Sequence, residues 1–203
     1  MSRYRGPRLR LVRRLGKLPA LTKKISKKKT LPGEHGEISF KKASKFKIRL
    51  KEKQKLRFHY GMSERQLLNY VKKSRKKKGS SGKLLLTLLE MRLDNLVYRS
   101  GFAPTIIAAK QLITHGHVLL NGKRVNIPSY GCKPNDVLTP RNSLSSTNLI
   151  KRNLRSNEAL LIPQHLLLNK EKLEARILRL VNRKSLSLIV NELLVIEYYS
   201  RKL

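Results

Sequence analysis

Positive charge, more than any hydrophobic pattern, limits what this chain can fold into on its own. Lys and Arg number 47 against 12 Asp and Glu, a formal net charge of +35, and a compact monomer with that excess repels itself. A polyanionic partner is the economical explanation, and RNA, DNA, an anionic membrane and an acidic protein are the classes to weigh. The excess is uneven along the chain. Residues 1–90 hold 29 Lys/Arg against 5 Glu, a net of +24; residues 91–140 hold 6 against 2, a net of +4; residues 141–203 hold 12 against 5, a net of +7. No apolar run approaches the roughly 18 residues that a membrane-spanning helix needs. The basic stretch Lys23–Lys29 also lacks the apolar face of a membrane-surface helix. A single cysteine, Cys132, excludes an internal disulfide and a multi-cysteine zinc site, and reads as a buried or half-buried thiol in a turn.

The opening segment, residues 1–48, is crowded with Gly6, Pro7, Gly16, Pro19, Pro32, Gly33 and Gly36. Such punctuation predicts an extended basic arm with short turns, ordered mainly by its partner. At Ser63-Glu64-Arg65-Gln66 the pattern changes to a helix-initiating capping box, with Leu67, Leu68, Tyr70 and Val71 behind it. After Gly79-Ser80-Ser81-Gly82, a helix is expected over Lys83–Ser100, with Leu85, Leu88, Leu89, Leu93, Leu96 and Val97 at threes and fours. A second helix begins near Thr105 and stops at Gly116. The period then shortens to that of strands. His117–Leu120, Asn121-Gly122 and Lys123–Asn126 predict a hairpin on a type I′ turn, and Lys133–Asp136 predicts another turn before a strand at Val137–Thr139. Residues 141–157 read as loop, Leu173, Ile177, Leu178 and Val181 as one side of a helix, and Leu186–Tyr199 as a docked strand or extended tail.

Helices 83–100 and 105–115 with the hairpin form one unit. Packed at an angle, they present backbone amides, helix ends and cations on one side, which suits the shallow minor groove and phosphates of folded RNA. Arg92, Arg99, Lys110, Lys123 and Arg124 are its cations, and Asn95, Gln111 and Asn121 its neutral hydrogen-bonding groups. At helical spacing Arg92 and Arg99 would share a ligand. His115 and His117, either side of Gly116, read as phosphate contacts or helix caps.

The stretch MRLDNLVYRSGFAPTIIAAKQLITHGHVLLNGKRVNIPSYGCKPNDVL, residues 91–138, resembles the RNA-binding module of the small-subunit ribosomal protein four family. The start SRYRGPRLRLVRRLG, the segment RLKEKQKLRFHYGMSERQLLNYV at 49–71 and the end NELLVIEYYSRK at 191–202 resemble its plastid-encoded members. The resemblance covers about three quarters of the chain and is weak over 23–45 and 141–180. It implies an α+β protein. A mostly helical domain (49–90 with 160–203) is completed by the C-terminal tail, and an αL-type RNA-binding module of two helices plus a β-hairpin (91–150) is inserted in it. It also implies direct binding to a multi-helix junction in the 5′ part of small-subunit ribosomal RNA, nucleation of subunit assembly, and an influence on decoding accuracy. Carried over residue by residue, it adds Arg3, Tyr4, Arg5, Arg8, Lys53, Lys55, Arg57 and Tyr60 to the RNA contacts. The implied partners are ribosomal RNA, neighbouring ribosomal proteins including ribosomal protein five, and mRNA near its entry channel, with no membrane. The implied compartment is the plastid, in ribosomes of the chloroplast stroma, because the end motifs are plastid-type with no added leader. Bacterial relatives carry an N-terminal zinc-binding cysteine set that has no equivalent here, so neither metal nor cofactor is expected.

The rival readings are an enzyme and a free-standing RNA chaperone. Arg92-Leu93-Asp94 resembles the Arg-Leu-Asp of pseudouridine synthases. Asp94 and Asp136 are the chain's only aspartates, however, and no second domain of catalytic size remains. Asp94, read as lying mid-helix, has Arg99 or Lys110 within pairing distance without any catalytic role. His59, His115 and His117 have no nucleophile with an acid–base set around it. A chaperone built on the module would lack the long N-terminal arm and the docking tail.

Overall fold

A computed structural model of the chain describes residues 4–28, 30–34, 36, 44–157, 161–186 and 188–200. Two compact units divide it: Met1–Leu85 with Leu188–Leu203, and Leu86–Ser187. The described elements mix helix and antiparallel sheet, an α+β architecture. No described helix is long and apolar enough to cross a membrane.

The first unit contains α1 (Arg8–Leu15), α2 (Lys45–His59), α3 (Glu64–Lys76), the start of α4 (Ser81–Glu90) and α8 (Glu192–Ser200). Here the arm departs from expectation. Pro7 stands at the N-cap of α1, ahead of the first turn, where its missing N–H is not needed. Leu11 and Leu15, one helical turn apart, are buried with Leu18, Ala20 and Leu21. The leucine spacing is hidden in the sequence by the arginines between them. Ser63 caps α3 as expected: its hydroxyl accepts from Gln66 N at 3.3 Å while Gln66 Oε1 accepts from Ser63 N at 3.1 Å.

The C-terminal tail is helical, where β-branched and aromatic residues predicted an extended segment. Packing outweighs propensity. Val195 and Tyr199 are fully buried, and polar contacts hold α8 in place. Tyr199 donates to Glu64 Oε1 at 2.7 Å, Asn191 N donates to Glu52 Oε2 at 3.0 Å, and Arg49 pairs with Glu197. Lys53 reaches Glu64 at 2.8 Å and lies 4.9 Å from the ring centre of Tyr198.

The second unit holds α5 (Leu93–Arg99), α6 (Ile106–Thr114), α7 (Leu144–Ser156) and strands β1 (Val118–Leu120), β2 (Lys123–Arg124), β3 (Val137–Pro140), β4 (Leu166–Asn169) and β5 (Glu174–Ile177). The strands form one antiparallel sheet in the order β2-β1-β3-β5-β4. The hairpin is as the sequence predicts: Asn121 (φ 51°) and Gly122 (φ 75°) both take the left-handed conformation of a type I′ turn. Thr105 caps α6 and accepts from Ala108 N.

Two further stretches differ from expectation. Most of 141–157, a stretch rich in Ser and Asn, is α7 (Leu144–Ser156). Ser143 caps it, Ile150 is buried, and Asn153 and Asn157 donate to the carbonyls of Phe102 and Gly101 at 2.8 and 3.0 Å. The residues that signal loop serve here as cap and as ties to neighbouring backbone. The expected helix around Leu173–Val181 is instead the β4–β5 hairpin, with Ala175 and Ile177 buried and Arg176 and Leu178 exposed. Leu173 takes a positive φ of 55° with its side chain buried, in a turn where Asn169 Oδ1 accepts from the N–H groups of Glu171 and Lys172. An alternation of two, once the turn is placed at Asn169–Leu173, was indistinguishable by spacing from a short helical stripe.

Glu64 ties charge to the docking of α8. Burial alone would raise its pKa, but hydrogen bonds from Lys53 and Tyr199 and the charges of Lys53 and Arg57 outweigh that and leave it below its ordinary 4.5. A carboxyl depressed in the fold stabilises fully above its unfolded pKa, and the contribution fades as pH falls through the folded value. We predict that Tyr199→Phe lowers stability by about 1 kcal/mol at pH 7. In urea melts followed by circular dichroism, Glu64→Gln should flatten the loss of stability below pH 4.5; an unchanged pH profile would dissociate Glu64 from the tail.

Candidate nucleic-acid interface

The candidate interface begins with a break in a helix. The segment expected as one helix over 83–100 is two: α4 ends at Glu90 and α5 starts at Leu93, with Arg92 extended between them (φ −74°, ψ 142°). The loop after β2 repairs the interruption. Leu93 N donates to Tyr130 O at 2.9 Å, Asp94 N to Pro128 O at 3.0 Å, and Cys132 N to Met91 O at 2.9 Å. Two orphan donors of the first turn of α5, the N–H groups of Leu93 and Asp94, are thus satisfied by loop carbonyls, and that of Asn95 by the Asp94 carboxylate.

Two ion pairs fill the interior beside this break. Arg92 donates through Nε to Asp94 Oδ1 at 3.0 Å and through Nη2 to Oδ2 at 2.6 Å. Arg99 donates through Nη2 and Nε to the two oxygens of Glu90, at 2.8 and 3.3 Å. Asn95 Nδ2 donates to both the carbonyl and the carboxylate of Glu90, at 2.9 and 2.6 Å. Arg92, Asp94 and Glu90 are at most 1 % exposed, and Arg99 is 5 % exposed. This corrects the expected geometry. Arg92 and Arg99 do not project from one helical face to share a ligand, because the break at Arg92 turns each toward its own carboxylate. Asp94 lies in the first turn of α5, not mid-helix, and pairs with Arg92 and, at 3.6 Å, with Lys110.

The outward residues of the same unit are different in kind. Gln111, His115, Lys123 and Arg124 are exposed, and Lys110 is half-exposed. His115 ends α6 as its C-cap residue and sits 6.1 Å, ring centre to ring centre, from His117, whose Nδ1 is 2.9 Å from Ser146 Oγ. Gly116 (φ 74°) is required for this corner. A Cβ there would come within 2.5 Å of the Arg124 guanidinium, so the arginine lies directly over the glycine. Asn121 is exposed, but its amide is engaged: Nδ2 donates to Asp136 Oδ1 at 2.9 Å and Oδ1 accepts from Val137 N at 2.8 Å. It is the clasp that ties the hairpin turn to β3.

The first unit divides its expected contacts the same way. Tyr4 is exposed, packs edge-on against Phe58 at 5.6 Å, and lays the end of its ring over Gly6. Arg5 and Arg8 are exposed, and Arg3 lies outside the described residues. Lys53 and Tyr60 are buried, with Lys53 held by Glu64. Lys55 is half-exposed and paired with Glu52 at 2.5 Å, and Arg57 lies 5.1 Å from the Phe58 ring.

Sequence reasoning overlooked the exposed cations of α7, Lys151, Arg152 and Arg155, and Arg141 just before it. Their helical spacing was legible, but it carries weight only once 141–157 is read as a helix. The module's one cysteine is buried. Burial, then the charges of Asp136 and Asp94, push the Cys132 thiol up to about 12. Among the described residues, no group of three or more His, Cys, Asp and Glu is placed to hold a metal.

A family model described as the S4 domain matches residues 91–138, and one described as the ribosomal protein S4/S9 N-terminal domain matches residues 3–90. The small ribosomal subunit protein uS4c of Euglena gracilis is 67 % identical over the full length of both chains. The uS4 protein of Thermosynechococcus vestitus is 56 % identical, again over both full lengths, and the uS4c protein of Nephroselmis olivacea is 54 % identical over the same extent. Similarity therefore runs through residues 141–180, where the sequence resemblance was weak. With matches at this level from end to end, the chain belongs to the uS4 family of small-subunit ribosomal proteins, a structural and non-enzymatic family.

Proposed function

We propose that the chain is a primary binder of small-subunit ribosomal RNA in plastid ribosomes of the stroma. It grips a multi-helix junction in the 5′ part of that RNA, nucleates assembly of the subunit, and contributes to decoding accuracy beside ribosomal protein five and the mRNA entry channel. What supports this reading is the segregation of charge. Each of Glu52, Glu64, Glu90, Asp94, Asp136 and Glu197 is engaged by a cation, an amide or a hydroxyl of the chain itself. The surface left outward is strongly cationic, which is what a folded polyanion requires.

The expected site residues then take two roles. Tyr4, Arg5, Arg8, Gln111, His115, Lys123 and Arg124 meet RNA directly, with Lys110, Lys55 and Arg57 at the margin. Arg92, Asn95, Arg99, Lys53, Tyr60 and Asn121 position the elements that carry them. Phosphate contacts set register, and shape complementarity supplies selectivity.

Roughly 6–10 neutralised phosphates would make affinity fall about 10³–10⁵-fold between 50 and 200 mM salt. Filter binding to a small-subunit RNA fragment checks this; a shallow dependence would mean that charge is not the grip. Lys123→Ala with Arg124→Ala should weaken binding and reduce the log–log salt slope by about 2. An unchanged slope would remove the hairpin from the interface. Arg92→Ala should behave otherwise, because it removes the two-bond guanidinium partner of the buried Asp94 carboxylate and leaves only Lys110 at 3.6 Å and the Asn95 N–H. The loss expected is about 3–5 kcal/mol of stability, read by thermal denaturation. A variant of wild-type stability that merely binds RNA less well would return Arg92 to the surface set.

A further inference from the structure

A groove of about 700 Å³ opens in the basic arm, within the roughly 300–1,000 Å³ of small-molecule sites. Helix α1 supplies Leu9 and Arg10 to its lining, and the loop that follows supplies Ile25, Lys27, Lys28 and Pro32. Arg13 holds that loop to the helix. Its Nε donates to Thr30 O at 3.0 Å, and its Nη2 donates to Thr30 Oγ1 at 3.2 Å and to Leu31 O at 3.1 Å. Ser26 Oγ donates to Lys28 O at 3.1 Å, which ties the turn carrying the two lysines. Arg10, Lys27 and Lys28 are exposed, and none of the three forms an ion pair among the described residues. Ile25, in the same lining, is 83 % exposed. No described residue of the lining is acidic; the exposed Glu34 follows its last member, Gly33.

Both contributing segments thus set an aliphatic surface beside a cation: Leu9 with Arg10, and Ile25 with Lys27 and Lys28. Phosphate alone would leave the aliphatic surface in water, and an uncharged apolar ligand would leave three cations without a counterion. A duplex shows its phosphates but keeps the faces of its bases stacked inside. A nucleotide with an unstacked base supplies both parts at once, a flat face to cover the aliphatic side chains and a phosphate for the cations. The groove also begins in the chain where Tyr4, Arg5 and Arg8, proposed above as RNA contacts, leave off.

We propose that this groove is a subsite for one unstacked nucleoside phosphate. Its base lies against Leu9, Ile25 and Pro32, and its phosphate meets Arg10, Lys27 and Lys28. Arg13 is a positioning residue, engaged by the loop it holds. The inference deepens the RNA reading and rests on it: the arm takes hold of a base as well as of phosphates. An unpaired nucleotide of ribosomal RNA and a free mononucleotide offer the same chemistry, and the test separates them.

The full-length chain is irradiated with either of two probes, a small-subunit RNA fragment carrying 4-thiouridine at its unpaired positions, or 4-thiouridine 5′-monophosphate alone. Mass spectrometry should find crosslinks within residues 7–13 or 25–28. Those from the fragment place an RNA nucleotide in the groove; those from the mononucleotide place a free one there. Ile25→Ser, at a position too exposed to unfold the arm, should lower that yield about tenfold by removing the apolar cover. Arg10→Glu should lower it at least as much, through loss of one charge and repulsion by its replacement. Crosslinks confined to other residues, or a yield indifferent to Ile25→Ser, would overturn the proposal. Filter binding of the same fragment is scored alongside. Wild-type binding without a crosslink in the groove sinks the subsite alone, whereas a wild-type chain that does not bind the fragment sinks the RNA reading and leaves the mononucleotide arm to decide the groove.

Discussion

Two buried guanidinium–carboxylate pairs, Arg92–Asp94 and Arg99–Glu90, organise the second unit. Taking four ionised groups out of water is costly, and their mutual attraction offsets the cost only when the geometry is good and the remaining hydrogen-bonding capacity is met. Both conditions hold here. Asn95 supplies further donors to Glu90, and the Asn95 N–H donates to Asp94. The same pairs explain the break between α4 and α5. One continuous helix would hold Arg92 and Arg99 on a common stripe, whereas an extended Arg92 lets each arginine close on its own acid. The loop 128–132 is then held against the break by its carbonyls, and that loop follows the basic hairpin.

The pairs are also the local form of a rule that runs through both units. A chain with so few acids could scatter them over its surface, where each would subtract from the attraction for a polyanion and add little stability. Instead five of the described acids are held at joints, Glu52 and Glu64 where α8 meets α2 and α3, Glu90 and Asp94 at the helix break, and Asp136 at the hairpin clasp, while others such as Glu34 and Glu171 are exposed. Buried, paired cations and outward cations are thereby different side chains. Lysines and arginines that look alike in the sequence end up on opposite sides of that division. Lys53 and Arg92 hold the fold, and Lys123 and Arg124 face outward.

Much of the module was legible in advance because its signals are local. The Ser63–Gln66 box, the Thr105 cap and the Asn121-Gly122 turn each depend on a few neighbouring residues, and the structure has them where expected. What escaped depends on contacts distant in the sequence. Residues 191–200 are helical because Val195 and Tyr199 are buried and Tyr199 reaches Glu64, 135 positions away. The asparagines of α7 look like loop formers until Gly101 and Phe102 are placed beside them. Burial was equally invisible in Arg92 and Arg99: an arginine at the right spacing reads as a ligand until its carboxylate is found.

The division of cations into interior and outward sets is tested most directly by lysine-selective labelling of the full-length chain, free and bound to small-subunit ribosomal RNA. The account predicts that Lys53 is unreactive in both states, and that Lys123 and Lys151 react in the free chain and become protected on binding. A Lys123 equally reactive with and without RNA, or a Lys53 that is labelled in the free chain and shielded by RNA, would contradict it.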